Sequence, residues 1–118
     1  MRLEGELYRK VRECRTDAGW DFTVEILPSS RIFEGHFPGM PVVPGVCTLT
    51  IIRERLSQLT GREVMFREIK EVKYTSAIIP REGLQVQFSL ALDGDSLKGT
   101  AVCDGVQAIK ISATIGER

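Results

Sequence analysis

The sequence predicts an α+β fold, with one long helix set among antiparallel strands. Three patterns carry that expectation. Apolar residues recur at three- and four-residue steps in one stretch, at Val46, Leu49, Ile52, Leu56 and Leu59. Strict alternation appears at Leu84, Val86, Phe88 and Leu90, and again at Ile109, Ile111, Ala113 and Ile115. The dipeptides Asp93-Gly94 and Asp104-Gly105 are hairpin signals between strands. With 118 residues, 42% apolar and 27% charged, the chain reads as one soluble globular domain, 1–118, able to bury a core of its own.

The elements follow in order. Residues 6–14 and 20–27 are expected to pair as strands. Phe22, Val24 and Ile26 alternate with Thr23 and Glu25, and Asp17-Ala18-Gly19 supplies the turn. Pro28-Ser29-Ser30 breaks the sheet. The helix is predicted over 45–60, with Gly61 stopping it. Only Pro44-Gly45 precedes it, so no Ser, Thr, Asp or Asn caps its first amides. Those N–H groups lie at the positive end of the helix dipole and can receive a partly negative oxygen. Equally, Gly45 can serve as an ordinary cap and water can satisfy the amides. Strands are then expected over 64–72, 84–92, 97–103 and 106–115.

Composition excludes several function classes. Sixteen basic and sixteen acidic residues give a formal net charge of zero, which argues against a nucleic-acid partner. Arg62, Arg67, Lys70, Lys73 and Arg81 form either a local basic face for an acidic carrier or a solvated strand edge. Cys14, Cys47 and Cys103 are odd in number and lack metal-ligand spacing, so neither a disulfide framework nor a metal site is expected. They fit reduced thiols in a reducing compartment. The opening Met-Arg-Leu-Glu-Gly-Glu has no apolar run, and nothing approaches a membrane span. A cytoplasmic protein is the expectation, and no cofactor is called for.

The chemistry concentrates in residues 33–46, Phe-Glu-Gly-His-Phe-Pro-Gly-Met-Pro-Val-Val-Pro-Gly-Val. This segment holds the single histidine, His36, with Pro38, Pro41 and Pro44, and Gly35, Gly39 and Gly45. Each proline fixes its own φ and biases the preceding residue toward an extended conformation, so the loop is stiff. An imidazole on a stiff loop suits general acid–base work, and a tight structural loop is the plainer alternative.

The same segment resembles the signature of the hot-dog-fold 3-hydroxyacyl-acyl-carrier-protein dehydratases, roughly Phe-x-Gly-His-Phe-Pro-Gly-x-Pro-Val-x-Pro-Gly-Val. Every fixed position is matched, including Phe33, Gly35, Phe37, Pro38, Gly39, Pro41 and Pro44. A weaker match runs through Val72-Lys73-Tyr74 and Ile78 to Leu84, where the family tends to have Val-Lys-Phe-Arg-Arg-Pro-Val-x-Pro-Gly-Asp-x-Leu. The resemblance implies a hot-dog fold, an antiparallel sheet wrapped around one long central helix. It implies homodimers, or multiples of them, joined sheet to sheet. The substrate class it implies is an acyl thioester on acyl carrier protein or coenzyme A.

Residue roles follow from the same resemblance. His36 would take the proton α to the thioester carbonyl. The amides of Gly45 and Val46 would hold the thioester oxygen. The family's carboxylic acid, supplied by the partner subunit, falls at Thr50 here, and a threonine hydroxyl cannot deliver a proton as a carboxylic acid does. Two substitutes are conceivable: a water held by Thr50, or Glu54 one turn further along the helix. The ordinary reading of Glu54, between Arg53 and Arg55, is a solvated helix charge. Cys47, near the helix start, is either a small buried residue or a nucleophile for acyl transfer. Ile51, Ile52 and Ile69 would line an acyl tunnel or form core. The functions in view are a dehydratase of fatty acid or related acyl-chain synthesis, complete or impaired; a thioesterase; and a non-catalytic acyl-binding partner of a complete dehydratase.

Overall fold

The computed structural model describes residues 2–34 and 41–118. Strand β1 spans Tyr8–Arg15 and β2 spans Gly19–Ile26. A single 3-10 turn, Arg31–Glu34, leads toward the helix α1, Gly45–Thr60. Strands β3 (Val64–Tyr74), β4 (Gln85–Asp93), β5 (Ser96–Cys103) and β6 (Val106–Glu117) complete the chain. All six strands form one antiparallel sheet in the order β1-β2-β4-β5-β6-β3. The helix and all six predicted strand segments are present, with boundaries displaced by at most two residues.

The register explains why the alternating residues share one face. Phe22 pairs with Phe88 and Val24 with Val86, so β2 and β4 present a common apolar surface. The rings of Phe22 and Phe88 stack at 4.7 Å. Leu97 and Ala101 of β5, and Ile109, Ile111, Ala113 and Ile115 of β6, continue that surface. Ile51, Ile52 and Leu56 of α1 pack into the same apolar core and lose water almost completely. At the last hairpin Asp104 and Gly105 both have positive φ, 54° and 77°, as a two-residue loop between twisted strands requires.

Three expectations are corrected. The apolar steps of α1 do not give its whole buried face: Ile52 and Leu56 lie in the core and Leu49 and Leu59 pack against it, but Val46 is 67% exposed, and Cys47, Thr48, Ile51 and Arg55 are buried as well. The helix turns its Val46–Thr50–Arg53 line away from its own sheet. Ile69 is not part of this chain's core, being 43% exposed on the edge strand β3. Glu54 is no solvated charge, being only 7% exposed. Its carboxylate accepts hydrogen bonds from the Leu3 N–H (2.7 Å), the Glu4 N–H (3.1 Å) and the Tyr8 hydroxyl (2.9 Å). Glu54 thereby caps the turn that opens the chain, where Glu6 and Leu7 amides bond back to the Leu3 carbonyl.

Beside it, the buried Arg55 donates from Nε to Glu13 at 2.8 Å. Its Nη1 stands 3.0 Å from Glu4 Oε2 but off the line of a hydrogen bond. These two neighbours on the helix therefore tie the first turn and β1 to α1.

Candidate active site

Helix α1 begins at Gly45, and no side chain caps it. Pro44 occupies the N-cap with φ −59° and ψ 142°, and its carbonyl accepts the Cys47 N–H at 2.9 Å. Intrahelical bonding begins only after the first turn, so the leading amides at Gly45 and Val46 are left for another acceptor. Thr48 turns its hydroxyl back onto the Gly45 carbonyl, which holds the first turn closed.

This helix start opens onto a cavity of about 450 Å³. Among the described residues its walls include Val42, Gly45 and Thr48 on one side, and Tyr74, Ile78 and Ile109 on the other. A backbone bond from Val43 N–H to the Ile78 carbonyl, 2.9 Å, fixes the approach to the helix against the β3–β4 connection. Gly45 is required here by contact: a Cβ at that position would lie 2.5 Å from Tyr74 Cζ. The Tyr74 ring thus rests directly on the helix start, yet Tyr74 as a whole is 54% exposed. Burial pushes its phenol above the ordinary value of 10.0.

The other candidate residues are distributed as follows. Thr50 faces outward with Val46, and its hydroxyl donates to the Val46 carbonyl at 3.0 Å. Its own proton is therefore engaged with the helix backbone. Glu54 belongs to the N-terminal clamp described above and not to this cavity. Cys47 is buried, and burial raises its thiol above the ordinary value of 9.0, opposite to what a nucleophilic thiolate needs. Phe33 is buried in the core. Pro41 and Pro44 are half-buried on the approach to α1. Gly35, His36, Phe37, Pro38 and Gly39 lie outside the described residues.

Two of the five basic residues of the supposed basic face have acidic partners. Arg81 forms a two-pronged pair with Asp104, and Lys73 lies 3.9 Å from Glu71. Arg67 donates to the Glu117 carbonyl. Sequence reasoning missed Tyr74 as a site residue. The available signal was a tyrosine where the dehydratase pattern tends to carry phenylalanine, at a strand end two positions before the chain turns.

Comparison with known proteins gives a consistent picture. A family model, ApeI-like, described as ApeI dehydratase, matches residues 12–113. The 3-hydroxyacyl-[acyl-carrier-protein] dehydratase FabZ of Latilactobacillus sakei is 31% identical over 96 residues, covering 73% of this chain and 69% of that protein. FabZ of Ligilactobacillus salivarius is 27% identical over the same shares. Among solved structures, the dehydratase heterocomplex ApeI:P from Xenorhabdus doucetiae superposes with a TM-score of 0.80 at 19% identity, covering 94% of this chain and 98% of that one. An uncharacterized protein from Erwinia carotovora subsp. atroseptica gives the same TM-score at 20% identity, over 94% and 97%. The fold is the hot-dog fold.

Proposed function

Because the chain belongs to the ApeI-like dehydratase family, we propose that it is a dehydratase removing water from 3-hydroxyacyl thioesters held on acyl carrier protein, in fatty acid or related acyl-chain synthesis. The observation that carries this reading is the uncapped start of α1 at Gly45, opening onto the 450 Å³ cavity. An acyl thioester placed there meets N–H donors at its carbonyl oxygen and apolar walls along its chain. One such donor is worth about 10²–10³ in rate, because charge gathers on that oxygen as the α-proton leaves.

In this reading His36 takes the α-proton, the general-base role for which imidazole is the usual side chain at neutral pH. The electron pair left at Cα then forms the Cα–Cβ double bond as the Cβ–O bond breaks, and the hydroxyl leaves as water with a proton that must come back from the His36 imidazolium. Thr50 cannot supply that proton, and the lack of a carboxylic acid costs about 10²–10⁴ in rate. The protein is thus a slowed dehydratase unless water relays the proton. Thioesterase chemistry through Cys47 finds no support, because that thiol is buried and held protonated. Thr50 favours one second reading: an acyl-binding subunit that works beside a complete dehydratase, with which the naming of ApeI:P as a dehydratase heterocomplex is compatible. Joining of two copies through the free edge of β3 is the assembly we favour, and a reducing, cytoplasmic setting accords with the three free cysteines.

The test is incubation with 3-hydroxyacyl- and enoyl-carrier protein, read by mass spectrometry. Loss or gain of water supports the dehydratase; free acid would make it a thioesterase; no change of mass leaves the binding subunit. His36→Ala should lower turnover by at least about 10² while the protein stays folded. Near-normal turnover in that variant would remove the imidazole from the mechanism.

A further inference from the structure

We infer that the hydroxyl of Tyr74 is a substrate-contacting hydrogen-bond donor of this site, aimed at the thioester carbonyl beside the amide of Gly45. The inference rests on the dehydratase reading for the identity of the ligand, and on geometry for the residue. Tyr74 closes β3 and lays its ring across the first residue of α1. Its Oη lies 2.8 Å from where a Cβ of Gly45 would stand. The hydroxyl and the Gly45 N–H are thereby within the span of about 5–6 Å that one oxygen bridges when it accepts two ordinary hydrogen bonds. Tyr74, Gly45 and Thr48 line the same cavity.

Two further features favour a donor over a mere wall. Gly45 has no side chain to hold the ring away, so the close approach is written into the sequence. A phenol is already neutral at neutral pH, and burial only moves it further in that direction, so its O–H is available as a donor. A tyrosine with its apolar face on the helix and its hydroxyl at the cavity spans both requirements of a thioester: a greasy chain and one polar oxygen.

Crotonyl-pantetheine labelled with carbon-13 at the thioester carbonyl tests this in the whole protein. On binding, the infrared carbonyl stretch should move to lower wavenumber, and Tyr74→Phe should return part of that shift. The phenylalanine ring keeps the packing against Gly45, so a thermal melt should be little changed. In turnover of 3-hydroxyacyl-carrier protein, Tyr74→Phe should lower kcat by about 10² with KM within about threefold. Gly45→Ala, which drives the ring aside, should reproduce the spectral loss. Turnover by the native protein with no effect of Tyr74→Phe on rate or stretch overturns the inference and leaves the dehydratase reading standing. A Tyr74-dependent stretch without turnover upholds the contact and removes the dehydratase reading. Failure of the thioester to bind at all overturns both.

Discussion

At the level of single residues, the two candidates for the proton-donor role are both engaged elsewhere. Position 50, where a carboxylic acid would act, carries a hydroxyl bonded to its own helix, and Glu54 is spent on the first turn of the chain. If the missing acid limits the rate, Thr50→Glu should raise dehydration tenfold or more, equivalent to about 1.4 kcal/mol in the barrier. Stopped-flow or mass-spectrometric turnover decides it, and a folded variant with less activity than the native protein would show that no acid is used there. Glu54→Ala should instead cost stability, about 2–4 kcal/mol, by stranding a buried amide and the Tyr8 hydroxyl. Urea unfolding measures this, and Glu54→Gln, which keeps one acceptor oxygen, should lose less. Unchanged stability with collapsed turnover would return Glu54 to the chemistry. The burial of Glu54 could not be read from Arg53-Glu54-Arg55, because its partners Leu3, Glu4 and Tyr8 are some fifty residues away. Tyr74 was hidden for a similar reason: only the folded contact with Gly45 gives it a role.

At the level of elements, local pattern was a good guide to what forms and a poor one to which side faces in. Alternation in Leu84–Leu90 and Ile109–Ile115 identified β4 and β6 together with their buried faces, because period two leaves one choice of face. In α1 the apolar steps gave the helix, its Gly61 stop, φ +70°, and four of its core-side residues, but placed Val46 inward. Arg55 and Thr48 sit in the buried face, so hydropathy pointed past them to Val46. The ion pairs of α1 also carry a pH prediction. Burial alone would raise the Glu4 carboxyl, but the hydrogen bond from Arg2 and the charge of Arg55 outweigh it and hold it below its ordinary 4.5. A depressed folded-state pKa contributes stability above the unfolded value, lost as pH falls through the lower folded one. Chemical unfolding between pH 5 and pH 3 should therefore show a steeper decline for the native chain than for Glu4→Gln. Parallel curves would remove Glu4 from the clamp's energetics.

Across the whole molecule, each end of the sheet is an open strand among the described residues, β1 and β3. Edges are templates for pairing, and a second copy is one way to cover them. Sedimentation at micromolar concentration should show a dimer or a multiple of dimers, and a monomer would contradict a site shared between subunits. No helix among the described residues is long and apolar enough to cross a membrane. The order of the strands has a temporal side as well. Among the described residues β3, which ends in Tyr74, pairs with β6 alone, some forty residues further along the chain. While the polypeptide is being made, the helix and the β1–β2 hairpin can assemble early, from neighbours in sequence. The wall that carries Tyr74 must wait, unpaired, until β6 has emerged from the ribosome. Pairing over so long a loop is slow, so the pocket is among the last parts of the protein to mature.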